Sequence, residues 1–162
     1  MDSGSRFFIG KPEEMTALGM ILGRNLFKGA VVGLSGPLGA GKTTLAGGIA
    51  EGMEIDSSYV VSSPTYTLLQ TYPCSRGDLH HLDLYRIQGP GDLDSTGYRD
   101  HLGGSAVLVV EWPEKEPSVL PGENLMILID YQENGREVTL VPSGHRYEEL
   151  VEKITERFLG DP

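Results

Sequence analysis

The fold of this chain is decided by one stretch of its sequence, Gly36-Pro37-Leu38-Gly39-Ala40-Gly41-Lys42-Thr43. The stretch matches the pattern G-x-x-x-x-G-K-[ST] in full, with an apolar strand-like run at residues 30–34 before it and a helical pattern at residues 41–52 after it. Glycines suit such a loop because its backbone N–H groups curl around an anion and leave no room for Cβ atoms. It therefore predicts a P-loop that binds a nucleoside triphosphate; the alternative is a chance glycine turn before a helix.

The side chains of this loop predict how phosphates and metal would be held. Lys42 would reach the β- and γ-phosphates, and the Thr43 hydroxyl would bind magnesium. The helix that follows adds the positive end of its dipole. The residues expected to contact the nucleotide are Gly36, Leu38, Gly39, Ala40, Gly41, Lys42, Thr43 and Thr44.

A carboxylate for the metal follows the apolar run at residues 107–110. Glu111 ends that run as the acid of a Walker B motif does, so we expect it to hold magnesium directly or through water; the alternative is a solvated glutamate at a strand end. Trp112 comes next and either responds to the nucleotide or packs as an ordinary aromatic. Because no Asn-Lys-x-Asp motif for guanine is present, ATP is favoured.

Two further segments are candidates for catalysis. In the strand-like residues 79–86, two-residue alternation places His81, Asp83 and Tyr85 on one face. Asp83 would orient the attacking water or assist the metal, with His81 and Tyr85 positioning the water; the alternative is the solvent-facing side of an edge strand. In residues 63–67, Thr65 would act as a switch threonine near the γ-phosphate, unless Ser-Pro-Thr is only a turn.

The remaining pattern predicts a single α/β domain over residues 1–162, with a mostly parallel central sheet flanked by helices and a C-terminal β-hairpin plus helix. Strands are expected at residues 6–9 and at residues 59–62, where a strand begins that is broken at Pro64. A first helix is expected from Pro12 and a last helix ending at Gly160. Hairpin strands are expected at residues 125–131 and 136–141. Gly47 and Gly48 are expected to permit close packing of their helix on the sheet.

Composition limits the classes of partner and compartment. The net charge is −10 and no Lys/Arg cluster appears, so direct strong binding of nucleic acid is not expected. The acidic second half could instead meet a basic protein partner. A lone cysteine, Cys74, which we interpret as incidental, excludes an internal disulfide, and neither a secretory signal nor an apolar membrane span is recognisable. We therefore expect a cytoplasmic protein.

Four motifs in order resemble one family. They are G-x-L-G-A-G-K-T-T at residues 36–44, S-P-T-Y-T-L at 63–68, H-x-D-L-Y-R at 81–86 and V-E-W-P-E at 110–114. Together they resemble the TsaE family of bacterial P-loop ATPases, and the similarity runs over nearly the whole chain.

The resemblance implies a function in making the threonylcarbamoyl modification of the adenosine beside the anticodon in tRNA. It implies ATP and Mg²⁺ as ligands, weak hydrolysis alone, and action with the TsaB–TsaD pair, with tRNA met only through that complex. By the same resemblance Lys42 contacts the phosphates and Thr43 and Glu111 hold magnesium. Thr65 is then the switch threonine, and Asp83 is important for ATP turnover. Further residues implied at or beside the site are Trp112 and Glu13, near the nucleotide, and His81, Tyr85 and Arg86 in the third motif.

Two other functions remain open at this level. A small-molecule kinase also begins with such a loop, but it needs an acceptor pocket and usually an arginine-bearing lid. A non-hydrolytic module, in which nucleotide occupancy sets the affinity for a partner, would equally fit slow hydrolysis.

Overall fold

The structure is a computed structural model that describes residues 4–64, 68–102 and 104–160. Its strands are β1 (Ser5–Ile9), β2 (Val31–Ser35), β3 (Leu69–Tyr72), β4 (Leu79–Asp83), β5 (Val107–Glu111), β6 (Asn124–Gln132) and β7 (Gly135–Ser143). Its α-helices are α1 (Pro12–Asn25), α2 (Lys42–Gly52), α3 (Pro90–Asp94) and α4 (His145–Gly160). Short 3₁₀ turns span Tyr98–His101, Pro113–Lys115 and Pro117–Val119. In the part of the chain so described, no helix has the length and apolar character needed to cross a membrane.

The strands form one sheet in the order β1-β7-β6-β2-β5-β4-β3. The four central strands, β6, β2, β5 and β4, are parallel. Strands β7 and β3 pair antiparallel with β6 and β4, and β1 pairs antiparallel with β7 at the edge of the sheet. The parallel centre arises because apolar runs such as Val107–Glu111 can be buried on both faces. The predicted mostly parallel central sheet and late hairpin are confirmed, and the edges of the sheet are antiparallel.

One predicted strand is wrong. Residues 59–62 form no strand, and the next strand along the chain begins only at Leu69. The Val60 side chain is 85% exposed, so burial does not stabilise an extended pairing there. The segment is held instead by the side chain of Tyr72, whose ring packs edge-on against Tyr59 and whose hydroxyl accepts a hydrogen bond from the Ser62 N–H.

Two cores cover the two faces of the sheet. Helices α1, α2 and α4 supply Leu18, Ile49 and Ile154 to the larger core, which includes Val32 of β2. The other face carries a smaller core that includes Leu93 of α3. Because successive residues of a strand point to opposite faces, β2, β4 and β5 contribute to both cores, whereas the buried apolar side chains of β6 all belong to the larger one.

Helices α1 and α2 approach each other through paired glycines. A Cβ atom on Gly19 would lie 2.8 Å from the Cα of Gly48, and one on Gly23 would lie 2.9 Å from the Cα of Gly52. The expected packing of Gly47 and Gly48 on the sheet is therefore wrong. Gly48 contacts α1, while a Cβ on Gly47 would meet nothing within 4 Å. The period of the helix turns Gly47 away from its neighbours.

Candidate functional site

The carboxyl ends of three neighbouring parallel strands meet at one edge of the sheet. The glycine loop follows β2, while Glu111 ends β5 and Asp83 ends β4. The strand register pairs Glu111 with Leu34 on one side and with Asp83 on the other. This is the edge at which open α/β sheets bind ligands. Residues from three separated motifs therefore line one cleft with Lys42 and Thr43.

Local backbone constraints explain two of the glycines in the loop. A Cβ atom on Gly36 would lie 2.5 Å from the carbonyl oxygen of Ile129 in β6. Gly41 has a φ of 116°, a left-handed conformation that side chains rarely adopt, and it caps the N-terminus of α2. The loop therefore passes directly over the hairpin strand and then turns at Gly41 into α2.

The β6–β7 hairpin holds the loop through hydrogen bonds to its carbonyl oxygens, a contact that no sequence motif predicts. The Tyr131 hydroxyl donates a hydrogen bond to the carbonyl oxygen of Leu38. Arg136 Nε donates to the carbonyl oxygen of Ala40 at 3.2 Å, and its guanidinium lies 4.4 Å from the centroid of the Tyr131 ring. Tyrosine and arginine at a hairpin end have no distinctive spacing, so only the three-dimensional contact identifies them.

Lys42 is held by its own loop. Its ammonium donates hydrogen bonds to the carbonyl oxygens of Gly36 and, at 3.0 Å, of Pro37, and its side chain is only 5% exposed. Burial lowers the pKa of this ammonium, and the carboxylates of Glu111, Glu114 and Asp83 act in the opposite direction. The Lys42 amine thus lies within the loop, where a phosphate would bind.

Trp112 covers this lysine. Its backbone adopts a φ of 60°, a left-handed conformation that is unusual for a bulky residue. The turn places the indole ring 4.0 Å from Lys42 Nζ, measured to the ring centroid. Tyr85 packs against the indole at 5.1 Å between ring centroids. Trp112 thus lines the cleft beside the loop and is not simply a core aromatic.

Glu111 is a buried carboxylate with two neighbours, one hydroxyl and one imidazole. It is 2% exposed, and the Thr43 hydroxyl lies 3.3 Å from Oε2 and 3.4 Å from Oε1. His81 Nε2 lies 2.6 Å from Oε2. A solvated strand-end glutamate is therefore excluded. A carboxylate next to a hydroxyl is a set of oxygen donors that suits Mg²⁺, so these residues fit such an ion.

Asp83 is connected to the segment that precedes β3. The Ser63 hydroxyl donates to Asp83 Oδ2, and the Tyr85 N–H donates to Oδ1 at 2.9 Å. Strand β4 is interior, with β3 beside it, and Asp83 is buried, so the solvent-facing edge-strand interpretation is wrong. Arg86 is exposed one residue beyond Tyr85. Thr65, the expected switch residue, lies outside the described residues.

A second cleft lies on the other side of the loop. Its lining is mostly apolar and is contributed by Ile9, Lys11, Met15, Ala40, Thr44 and Arg136. Glu13 is exposed on the first turn of α1 and does not line this cleft, whereas its neighbours Lys11 and Pro12 do. The helical turn directs Glu13 away and Met15 inward. Thr44 lines both clefts, so the two clefts adjoin along the loop.

Known proteins are similar to this chain in sequence and in fold over nearly its whole length. A family model described as threonylcarbamoyl adenosine biosynthesis protein TsaE matches residues 9–138. The tRNA threonylcarbamoyladenosine biosynthesis protein TsaE of Bacillus subtilis is 36% identical over 145 residues, covering 89% of each chain. That of Nostoc sp. is 33% identical over 156 residues, covering 93% of this chain and 94% of the relative. The crystal structure of Bacillus subtilis YdiB superposes with a TM-score of 0.77 at 32% identity, covering 97% of each chain.

Proposed function

The chain belongs to the TsaE family of tRNA threonylcarbamoyladenosine biosynthesis proteins, and from this we propose that it is the Mg²⁺-dependent, ATP-hydrolysing subunit of that pathway. One observation carries the proposal. Lys42, Thr43, Glu111 and Asp83 come from three separated motifs and line a single cleft at the carboxyl edge of the sheet. A cation, a hydroxyl and two carboxylates in one cleft are the groups that phosphoryl transfer requires.

The second cleft supports a nucleotide as the ligand. It is mostly apolar and continuous with the phosphate loop through Thr44. A flat apolar base would fit there while its phosphates extend to Lys42. We propose ATP because the chain contains no Asn-Lys-x-Asp motif for guanine.

The residues of the cleft would divide the reaction among them. Loop N–H groups and Lys42 would bind the phosphates, with Lys42 exchanging the Gly36 and Pro37 carbonyls for phosphate oxygens. Asp83 would accept a hydrogen bond from the attacking water, which forms a bond to the γ-phosphorus as the bond to the β,γ-bridging oxygen breaks. Magnesium, held by Thr43 and Glu111, would neutralise the charge that develops on the phosphates.

The partners and the compartment that we propose for this chain are those implied by its family. We propose that hydrolysis is weak in the isolated chain and serves the TsaB–TsaD pair in the cytoplasm. The net charge of −10 supports contact with tRNA only through those partners, because this chain offers little attraction for a phosphate backbone.

The test is ATP turnover by the wild type and by three variants, with and without TsaB–TsaD and tRNA. Lys42→Ala should lose both binding and turnover, and Glu111→Ala the magnesium-dependent part of binding. Asp83→Asn should bind ATP but lose turnover by roughly 100-fold or more. Arg99→Ala, which removes an exposed ion pair with Asp94, is the control and should be unaffected. Wild-type turnover in Lys42→Ala or Asp83→Asn would contradict the site.

The same experiment separates hydrolysis from a purely nucleotide-dependent interaction. If tRNA modification proceeds fully with a nonhydrolysable ATP analogue, then occupancy of the cleft is sufficient and turnover is not required. If modification stops with the analogue while the complex still assembles, hydrolysis itself is needed.

A further inference from the structure

His81 and Glu111 form a buried pair that the proposed chemistry does not yet use. His81 is 0% exposed and lies on β4, and its Nε2 is 2.6 Å from Glu111 Oε2 at the end of β5. The register of the two parallel strands pairs His81 with Val109, two residues before Glu111. The imidazole therefore extends along the sheet, toward the end of β5, to contact the Glu111 carboxylate.

This contact decides how the carboxylate is oriented. A buried carboxylate is costly unless hydrogen bonds satisfy it, and the remaining contact of Glu111, with Thr43, is long at 3.3–3.4 Å. The bond to His81 is the short one. It holds Oε2, and the carboxylate so held lies against the Thr43 hydroxyl in the cleft.

The second ring nitrogen of His81 is consistent with this role. Within the described residues, His81 Nδ1 is buried and has no hydrogen-bond partner. A buried N–H without a partner is more costly than a bare acceptor, so the proton belongs on Nε2, where it is donated to Glu111. The ring then donates one hydrogen bond, from Nε2.

We propose that His81 is a positioning residue that orients Glu111 for Mg²⁺. This differs from the sequence-based expectation that His81 positions water beside Asp83. Histidine–carboxylate pairs of this kind orient metal ligands, and their loss typically weakens metal binding by 10–100-fold. The inference rests on the proposed Mg²⁺-dependent ATP site and assigns one residue a task within it.

The test compares two substitutions of nearly the same chemistry. In His81→Gln the side-chain amide can extend to the place of Nε2 and donate to Glu111, whereas in His81→Asn it is too short to do so. The neighbouring histidine provides the control. His80 is also buried, but its Nδ1 contacts the Thr71 hydroxyl and its ring packs on His101, so His80→Asn alters the adjoining position without touching Glu111.

The measurement is the affinity for a nonhydrolysable ATP analogue by calorimetry, in EDTA and across a Mg²⁺ series, at a temperature at which circular dichroism shows every variant folded. For His81→Asn we expect unchanged affinity in EDTA and a roughly 10–100-fold higher Mg²⁺ concentration for the half-maximal effect. His81→Gln should recover most of that loss, and His80→Asn should match the wild type. Electron paramagnetic resonance of bound Mn²⁺ gives a second readout that needs no turnover.

Different outcomes overturn different claims. If His81→Asn keeps the wild-type Mg²⁺ dependence, or loses affinity equally in EDTA and in Mg²⁺, the positioning role is wrong. The same holds if His81→Gln and His81→Asn lose equal Mg²⁺ affinity. If the wild type binds the analogue with no effect of Mg²⁺, the proposed function fails and this inference fails with it.

Discussion

Lys42 Nζ lies 4.0 Å from the centroid of the Trp112 ring while it donates hydrogen bonds to the carbonyl oxygens of Gly36 and Pro37. The ammonium is therefore bound on both sides by its own protein. A cation over an indole face contributes about 0.5–2 kcal/mol, depending on desolvation. A phosphate must replace these contacts to recruit Lys42.

The first prediction concerns tryptophan fluorescence. Trp112 is the only tryptophan of the chain, so the tryptophan emission reports the surroundings of this residue alone. Binding of ATP with Mg²⁺ should change both the intensity and the position of the emission, because Lys42 leaves the ring and phosphate enters. Lys42→Met should change the emission of the free protein and reduce the response. An unchanged spectrum at a ligand concentration that calorimetry shows to be saturating would contradict the exchange of contacts.

The second prediction concerns the hairpin that supports the loop. Tyr131→Phe removes the hydroxyl that binds the Leu38 carbonyl, and Arg136→Ala removes the bond to the Ala40 carbonyl. Each should weaken ATP binding by about 5–10-fold, since a hydrogen bond of this kind contributes about 1 kcal/mol. Calorimetry measures the change. Lys153→Ala on the exposed side of α4 is a suitable control, and equal affinities in all four proteins would show that the hairpin does not shape the loop.

The third prediction concerns the contact between α1 and α2. Gly48→Ala places a Cβ 2.5 Å from the carbonyl oxygen of Thr16, whereas Gly47→Ala, one residue earlier, meets nothing within 4 Å. Gly48→Ala should lower the free energy of unfolding by about 1–3 kcal/mol, and Gly47→Ala should raise it by up to about 1 kcal/mol. Thermal or urea unfolding compares the pair. A Gly48→Ala protein as stable as the wild type would mean that the helices can separate at no cost.

The fourth prediction concerns Cys74. Burial raises the pKa of its thiol to about 11, and the Asp78 carboxylate acts in the same direction. Because only the thiolate reacts, alkylation by iodoacetamide at pH 8 should be roughly 100-fold slower than for an exposed cysteine. The rate should rise about tenfold per pH unit up to about pH 11. Mass spectrometry follows the reaction, and guanidinium-unfolded protein is the control. Rapid labelling of the native protein at pH 8 would contradict the interpretation of Cys74 as inert.

The sequence predicted most of the parallel centre because the relevant signals are local. The apolar run before Glu111 is buried on both faces whatever surrounds it, and the glycine loop can follow only a strand and precede a helix. Likewise, the motifs were enough to predict that Asp83 and Glu111 serve the same site. These inferences needed no knowledge of distant contacts.

Features set by contacts between distant residues were missed. The local pattern that suggested a strand near Val60 carries no information about whether a neighbouring strand is available, and Tyr72 holds that segment by its side chain instead. Alternation also placed His81 on the face of Asp83, yet the ring reaches sideways to Glu111 on the next strand. The support of the loop by Tyr131 depends on a strand order that a linear pattern does not encode.

The paired glycines of α1 and α2 limit how far the two clefts can move relative to each other. Met15 near the start of α1 lines the second cleft, and Lys42 at the start of α2 lines the first. At the crossing of Gly19 with Gly48 the two backbones are in direct contact, so the helices meet there without side chains that could adjust to a shift. The spacing between the two clefts is therefore set by backbone contact. We expect movement that accompanies ligand binding to involve Tyr85 and Trp112, which line the first cleft, and not this helix pair.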